Sequence, residues 1–434
     1  MSTSKTFVDF FDSTIFTDAF KELKRNQKKT RFEHEYYQGY VTIDSFEKNL
    51  DENFCQIRQL LSDKSYRFSK LHPVLLPKEG KSSYRMICIP TVQDRIVQKI
   101  LIRYLQQTDQ LASSQSKDFS VSRIDLRKED KGSSGARRLA IRLRKQYPYT
   151  LKTDISAFFD NIDRAKLMQK IRSEVSAVDI FYLLESAIRC DPKQINFLTP
   201  EKNAFIKSKL GKGVRQGMPI SPILASFYLS DFDEEMKNKR IRVIRYADDL
   251  LFLSKSTQQS LRAFQVAKTA LNREGLNLPS LEEGGKSQIY APKETIRFLG
   301  LNMIFDNSNN SFSWHIPLDT IEEIKNELND FTNIKKNLTQ GIGFSTVLQK
   351  IDQSIMGYLG YFREEINKNQ YENFELEMID LKKKILLTLL KNMGFDTSNL
   401  STDHLKFLLG FSKKESIEIQ KKQFKKPNNG TPSV

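Results

Sequence analysis

The sequence predicts an α+β protein in which helices and short strands are mixed within one chain. Three observations predict this class. Apolar runs of strand length lie between prolines at 74–76 and 86–89. Two further runs, 241–245 and 250–253, flank a short polar turn and predict a β-hairpin. Amphipathic patterns of helical period fill the first 70 or so residues and return in the lysine-rich last third of the chain.

The remaining elements follow from caps and breakers along the chain. Asp163 is placed to cap one helix. Ser221 is placed to cap another, with Pro222 in its first turn, and Gly275 is placed to end a third. The stretch 106–135 is polar and serine-containing, and we expect a loop there. Helices are accordingly predicted at 93–105, 163–174, 222–239 and 258–274.

Composition restricts the class of protein. The 434 residues suffice for two or three compact units, and 39% hydrophobic residues exclude a mainly disordered chain. Lys and Arg total 69 against 53 Asp and Glu, a formal charge of +16, which predicts nucleic acid as partner first and an anionic membrane surface second. No apolar run reaches the roughly 18 residues of a transmembrane helix, and we expect no signal peptide in the first residues. The three scattered cysteines predict reduced thiols in a cytoplasmic protein, without a Cys-based zinc site.

The most informative segment is Tyr246-Ala247-Asp248-Asp249, at the turn of the predicted hairpin. Two adjacent carboxylates beside buried strands repel each other, and folding does not favour that arrangement unless a cation neutralises it. An isolated Asp-Asp pair in a turn is usually only turn chemistry. By itself the segment therefore leaves both interpretations open.

A further carboxylate, Asp154, ends another apolar strand-like run. The ends of two strands can meet at one edge of a sheet, where Asp154 would join Asp248 and Asp249. Three carboxylates of this kind suit two magnesium ions, which prefer oxygen ligands. One ion would activate an attacking hydroxyl, and the other would stabilise the leaving group of a phosphoryl transfer.

A third segment, 211–222, contains three glycines ahead of a predicted helix. The glycines would let the backbone approach a planar or anionic ligand. A glycine-rich lead into a helix explains the same residues equally well, so the segment alone decides nothing.

In this order, the three segments resemble the palm of a reverse transcriptase of the bacterial group II intron-like superfamily. Further motifs extend the resemblance over roughly residues 17–365. They are Pro77-Lys78, Tyr84-Arg85 and the run 89–98 in the fingers, Phe298-Leu299-Gly300 at the primer grip, and the run 357–363 at a turn in the thumb helices.

The resemblance implies a right-hand polymerase with an antiparallel palm sheet. Fingers and palm would occupy 1–314, a helical thumb with an appendage 315–420, and a basic disordered tail 421–434. The implied enzyme is an RNA-directed DNA polymerase, in which a primer 3′-hydroxyl attacks the α-phosphate of a deoxynucleotide. Its partners would be an RNA template, expected to be a non-coding RNA, a DNA primer with its cDNA, and dNTPs, in the cytoplasm and without a membrane. Whether a second copy or an accessory protein joins the complex is left open.

The resemblance also implies metal and proton roles. Asp154, Asp248 and Asp249 would hold two Mg²⁺ ions, for which Mn²⁺ could substitute. The carbonyl of Ile155 would be a further oxygen ligand. Lys286 would lie near the leaving pyrophosphate as a general acid, although a solvated surface lysine is the simpler alternative.

Nucleotide-binding roles follow in the same way. Lys78 and Arg85 would clamp the triphosphate, with Lys81 close enough to replace Lys78. Phe159 would be a steric gate that leaves no room for a ribose 2′-hydroxyl, unless it is a core residue as we expect of its neighbour Phe158. Gln216 would lie against the nucleotide.

The chain departs from the family in several places. The glycine-rich N-terminal segment is replaced by 30–37, the stretch ahead of the palm is altered around 119–123, and no zinc or His-Asn-His nuclease segment follows. The Asn-Ala and Val-Thr-Gly motifs of retron enzymes are not found, which argues against a retron. These departures favour the unknown-group reverse transcriptases, many of which act in antiphage defence. The alternatives are a group II intron maturase that acts as an RNA-binding splicing factor, and a template-independent or protein-primed DNA polymerase.

Overall fold

The computed structural model describes two compact units, Met1–Pro292 and Lys293–Val434. The segments 30–37 and 119–123, Lys81 and the tail from 421 lie outside the described residues, and so do the predictions made for them. The domain boundaries predicted at 314 and 420 stay predictions. The described residues are 6–11, 13–27, 41–78, 83–107, 132–195, 198–398, 400 and 404.

The described part of the first unit is helical at its start and mixed thereafter. Its strands are β1 His72–Pro77, β2 Tyr84–Ile89, β3 Tyr149–Asp154, β4 Arg242–Tyr246, β5 Asp249–Ser254 and β6 Gln288–Tyr290. Its helices are α1 Ser13–Gln27, α2 Ile43–Glu47, α3 Leu50–Ser62, α4 Val92–Gln107, α5 Gly132–Arg144, α6 Phe158–Asn161, α7 Arg164–Glu174, α8 Phe181–Ile188, α9 Pro200–Lys209, α10 Ser221–Tyr228, α11 Ser230–Asn238 and α12 Thr257–Arg273.

A four-stranded antiparallel sheet in the order β4-β5-β3-β6 forms the centre of this unit. Helix α12 packs against β3 and β5, and α5 packs against β4 and β5. The apolar residues of β5 are therefore buried without alternation, as expected of a strand covered on both faces. Leu151, Val243 and Phe252 join the core of the unit. A separate antiparallel hairpin pairs β1 with β2.

The second unit combines a small sheet with helices. Its buried residues follow the helical period, as Val347, Ile351 and Ile355 show on α15. The sheet is antiparallel in the order β7-β8-β9. The elements are β7 Ile296–Phe298, β8 Leu301–Asp306, β9 Ser311–His315, α13 Leu318–Asn329, α14 Ile334–Thr339, α15 Phe344–Phe362 and α16 Lys368–Asn392. Nowhere in the described parts of the chain is a helix long and apolar enough to cross a membrane.

The α+β class, the strand-like runs and the hairpin are confirmed. The predicted cap is also confirmed, because the Asp163 carboxylate accepts hydrogen bonds from the backbone N–H groups of Ala165 and Lys166. Gly275 follows the end of α12 at φ +76°, a conformation that glycine adopts without strain.

Four details of the sequence interpretation are wrong. The predicted helix 222–239 is two helices, α10 and α11, which are separated at Leu229. Next to this interruption, the Ser230 hydroxyl donates to the Phe227 carbonyl. Ser221 does not cap α10; its hydroxyl donates to the Arg215 carbonyl at 2.6 Å. Residues 357–362 lie inside helix α15 and not at a turn. The ends of the predicted loop 106–135 are helical, since α4 extends to Gln107 and α5 begins at Gly132.

Candidate active site

Antiparallel pairing of β3 with β5 brings three carboxylates to one edge of the central sheet. Asp154 ends β3 and is the Cα partner of Asp249, which begins β5. The backbone N–H of Ile155 donates to the carbonyl of Asp248 at 3.0 Å, so the chain after β3 is joined to the hairpin turn. We call Asp154, Asp248 and Asp249 the carboxylate edge. The sequence interpretation that these three residues converge is thus supported by the strand register.

The turn that carries Asp248 is tight and conformationally strained. Tyr246 pairs with Asp249, which leaves Ala247 and Asp248 as a two-residue loop. Ala247 has φ +53°, and Ala157, three residues after Asp154, has φ +47°. A left-handed conformation costs an L-residue with a Cβ atom roughly 1–2 kcal/mol. Such strain persists only where the surrounding structure imposes it, and it concentrates at functional sites.

The carboxylate edge is electrostatically unfavourable as it stands. Burial raises the pKa of Asp248 above its usual value, the Asp154 carboxylate adds to the rise, and the cations Arg85 and Lys286 oppose it. Burial also raises the pKa of Asp249, and the carboxylates of Asp248 and Asp154 raise it further. The nearby cations therefore compensate the negative charge of this edge only in part.

Asp154 has one oxygen paired and one oxygen unpaired. Its Oδ2 accepts a hydrogen bond from the ammonium group of Lys286 at 2.8 Å. Its Oδ1 is buried and accepts no hydrogen bond. A buried carboxylate oxygen without a partner is costly, and a cation beside it would remove that cost.

These donors fit a divalent cation that prefers oxygen ligands. Among the described residues, however, no three His, Cys, Asp or Glu side chains lie close enough together to hold a metal ion by themselves. The carboxylate edge is therefore an incomplete ligand set. Magnesium commonly completes such an incomplete set with water and substrate phosphate oxygens.

The predicted nucleotide-binding residues lie on two neighbouring segments. Arg85 is exposed on β2 and close enough to Asp248 to affect the pKa of that carboxyl group. Gln216 is half-buried, and its carbonyl accepts a hydrogen bond from the N–H of Cys88 on β2 at 2.7 Å. Lys78 is exposed after β1, and its N–H donates to the Ser83 carbonyl at 2.9 Å. Arg85 is thus linked to the carboxylate edge by its electrostatic effect alone, and no described contact joins the Lys78 side chain to the edge.

Phe159 lies half-buried beside the core residue Phe158, which is 2% exposed. The two ring centroids are 5.2 Å apart. Our assignment of Phe158 to the core agrees with this burial, and Phe159 keeps a partly exposed ring, as a steric gate requires. The gate role itself stays a prediction.

Two glycines of the third segment, Gly213 and Gly217, lie against the protein's own backbone. A Cβ atom on Gly213 would lie 2.3 Å from the Phe159 carbonyl oxygen, and one on Gly217 would lie 2.5 Å from the Cys88 carbonyl oxygen. Both glycines adopt positive φ. They allow close approach to the protein's own backbone and need no ligand to explain them.

Sequence reasoning missed two ion pairs that are formed by buried guanidinium groups. Arg245 on β4 is 2% exposed, and its guanidinium binds both carboxylate oxygens of Asp233 on α11. A guanidinium in an apolar strand needs a carboxylate partner, so the position of Arg245 in the sequence could have indicated this pair. The second pair joins Arg215 to Asp191 at 2.7 Å.

Comparison with known proteins gives one family and several distant relatives. The family described as "Reverse transcriptase (RNA-dependent DNA polymerase)" matches residues 76–303, more than half of the chain. "Protein YkfC" of Escherichia coli K12 is 20% identical over 257 residues, which are 49% of this chain and 63% of that protein. "Retron Ec83 reverse transcriptase" of Escherichia coli is 26% identical over 239 residues, 54% of this chain and 67% of that protein.

Two solved structures of telomerases also align with the chain. The apo telomerase of Candida tropicalis, truncated from its C-terminal domain, is 16% identical with a TM-score of 0.37, over 59% of this chain and 58% of its own. The telomerase of Candida albicans in complex with a fragment of telomeric RNA is 14% identical with a TM-score of 0.39, over 93% of this chain and 75% of its own.

Proposed function

This chain belongs to the reverse transcriptase family of RNA-dependent DNA polymerases, and from that premise we propose that it extends a DNA primer by copying an RNA template. One observation carries the proposal. The pairing of β3 with β5 puts Asp154 opposite Asp249, next to Asp248, and leaves Oδ1 of Asp154 buried without a hydrogen bond. Clustered carboxylates with an unpaired buried oxygen disfavour folding, whereas phosphoryl transfer with two metal ions uses such a carboxylate set.

The cofactor in this proposal is a pair of magnesium ions, or manganese in their place. Asp154, Asp248 and Asp249 would hold them, with the Ile155 carbonyl as a further oxygen ligand. When bound, such ions activate the primer 3′-hydroxyl and stabilise the charge of the leaving pyrophosphate. The ammonium group of Lys286 donates a hydrogen bond to Asp154 and would supply a proton to the leaving pyrophosphate.

The substrates are dNTPs, and the chain's own residues would select and orient them. Arg85, next to Asp248, and Lys78, at the end of β1, would bind the triphosphate as cations. Gln216 would lie against the nucleotide, and the partly exposed ring of Phe159 would exclude a ribose 2′-hydroxyl. These roles depend on the family resemblance and on the positions of the four side chains.

The template is an RNA, and its hybrid with the new DNA is held mainly through the phosphate backbone. The formal charge of +16 supports a polyanionic partner of this kind. An A-form duplex presents its backbone and 2′-hydroxyls more readily than its base edges, so we expect little dependence on sequence.

Primer extension by the purified chain tests the function. The assay compares an RNA template with a DNA template of the same sequence, each with a DNA primer, dNTPs and Mg²⁺. We expect extension on RNA, its loss on chelation, and its loss in Asp154→Asn. The matched control is Asp231→Asn, which neutralises a surface carboxylate on α11 that is 70% exposed. Extension by Asp154→Asn at the wild-type rate would contradict the assignment.

We place this activity in a bacterial antiphage defence system. The support is the set of family departures, which fit the unknown-group enzymes better than intron enzymes or retrons. Phage plating on cells that carry the gene with its natural neighbours tests the placement. Protection by the wild type and its loss in Asp154→Asn are expected. Equal plating with and without the gene would remove the defence role and leave the polymerase proposal unaffected.

A further inference from the structure

Asp191 lies just after α8 and receives three hydrogen bonds from separate parts of the first unit. Its Oδ1 accepts from the guanidinium of Arg164 at 2.6 Å and from that of Arg215 at 2.7 Å. Its Oδ2 accepts from the backbone N–H of Gly211 at 3.0 Å. Both carboxylate oxygens are therefore engaged, and we call Asp191, Arg164, Arg215 and Gly211 the Asp191 cluster.

The cluster is built around a buried cation. Arg215 is 2% exposed, and its guanidinium also donates to the Lys209 carbonyl. A guanidinium so deeply buried needs a carboxylate partner. Burial tends to raise the pKa of Asp191, but the hydrogen bonds from Arg164, Arg215 and Gly211 hold it below its usual value. The carboxylate is thus charged and fixed in place.

The cluster holds the segment 211–217 against the residues that we assign to the nucleotide. The Nε of Arg164 donates to the Gly213 carbonyl at 2.8 Å. The N–H of Val214 donates to the Phe159 carbonyl at 2.8 Å. The same carbonyl lies so close to Gly213 that no side chain would fit at position 213. The Gln216 carbonyl, at the far end of the same segment, is bound to β2. One carboxylate thereby fixes the segment that contacts the backbone of Phe159 and carries Gln216.

We propose that Asp191 is a positioning residue for the nucleotide site and that it sets the discrimination between deoxyribonucleotides and ribonucleotides. Asp191 acts through the segment 211–217, which fixes the backbone of Phe159 and therefore the position of its ring. A displacement well below one ångström changes the space left for a 2′-hydroxyl. The kinetic part of this inference rests on the proposed function, whereas the immobilisation of the segment does not.

Steady-state kinetics of Asp191→Asn test the specificity role. We expect KM for dNTP to rise about tenfold, kcat to change less than about threefold, and the preference for dNTP over rNTP to fall about tenfold. KM for the primer–template should stay unchanged. Asp191→Glu keeps the charge and should recover part of the preference. The control is Glu185→Gln on α8, which loses a surface pair with Arg189 and should behave as wild type.

A purely structural role would give a different result. Loss of folded protein lowers kcat in proportion to the folded fraction and leaves KM for dNTP and the sugar preference unchanged. That outcome in a folded Asp191→Asn variant would overturn the proposal.

Hydrogen exchange of the backbone tests the positioning without any need for activity. Amides of the segment 209–217 should exchange faster in Asp191→Asn than in the wild type, while those of β5 should not change. If the wild type adds no nucleotide, the proposed function fails, and exchange still decides whether Asp191 holds the segment. If Asp191→Asn does not fold, Arg164→Gln can be used instead. It removes one of the two guanidinium hydrogen bonds to Asp191 and keeps the pair of Asp191 with the buried Arg215. Unchanged exchange at 209–217 in a folded variant would overturn the inference.

Discussion

The carboxylate edge and the Asp191 cluster are two acidic regions of one unit with opposite electrostatics. In the cluster, two guanidiniums and a backbone N–H compensate one carboxylate, whose pKa lies below its usual value. At the edge, burial and neighbouring carboxylates push the pKa values of Asp248 and Asp249 upward, and one Asp154 oxygen has no hydrogen bond. Acidic residues that stabilise a fold are compensated by the protein. Acidic residues that the protein compensates only in part favour an external cation, and this difference supports the carboxylate edge as the candidate active site.

The largest expected effect is on catalysis at the carboxylate edge. Asp248→Asn with Asp249→Asn should lower the rate of nucleotide addition at least about a thousandfold, because the metal ligands are lost. The thermal unfolding temperature without divalent ions should hold or rise, since the change removes buried like charges. Primer extension and differential scanning calorimetry measure both effects.

This first prediction contrasts the two regions directly. The same substitution at Asp191 should lower the unfolding temperature. A double variant of the edge that unfolds more readily than the wild type would mean that its carboxylates stabilise the fold, and the contrast would be wrong.

The second expected effect concerns stability at the Asp191 cluster. Asp191→Asn should lower the free energy of unfolding by roughly 2 kcal/mol at neutral pH, because Arg215 loses its counter-ion in a buried position while Asp191 itself is partly exposed. The folded pKa of Asp191 is lowered, so its contribution is complete above the unfolded pKa and is lost as pH falls through the folded pKa. The difference in the free energy of unfolding between the wild type and Asp191→Asn should therefore decrease on acidification.

Urea unfolding of wild type and variant from neutral pH to about pH 2.5, which is below the usual aspartate pKa of about 3.9, checks this linkage. Asp231→Asn, on the exposed face of α11, controls for a general change of net charge. If the difference in the free energy of unfolding stays constant over the whole pH range, the hydrogen-bond geometry of Asp191, and not its charge, supplies the stability.

The third expected effect lies between the two regions, at Phe159. Phe159→Ala should reduce the preference for dNTP over rNTP by about tenfold or more, because the ring no longer collides with the 2′-hydroxyl. Removal of the half-buried ring should lower the free energy of unfolding by about 1.5 kcal/mol, which is less than for a fully buried phenylalanine. Phe158→Leu is the matched control, since it should cost stability and keep the preference. Equal sugar selection in wild type and Phe159→Ala would place the gate elsewhere.

The smallest expected effect concerns backbone strain at the edge. Ala247→Gly should raise the free energy of unfolding by about 0.5–1 kcal/mol, because φ +53° is unfavourable for a residue with a Cβ atom. Ala270→Gly, inside α12, should instead lower it by about 1 kcal/mol. Denaturant titration measures both. A loss of stability in Ala247→Gly would show that the turn is not strained.

Local sequence signals predicted the elements that carry the carboxylates. Apolar runs of strand length on either side of Tyr246-Ala247-Asp248-Asp249 specify a hairpin by themselves, because a two-residue connection leaves few alternatives. The Asp163 cap and Gly275 after α12 are equally local, since each acts within one helical turn. Such features depend on neighbours in sequence, so a single chain suffices to find them.

Tertiary structure alone decided which distant groups meet. Asp191 carries no motif, yet it joins Arg164 and Arg215, and Asp233 binds the buried guanidinium of Arg245. The sequence left open whether Gly213 faces a ligand, and the packed Phe159 backbone explains this glycine. Hydrophobic patterning determines the elements, because burial is repeated along the chain. The partner of a buried charge is a single contact between remote segments, and only the packed structure specifies it.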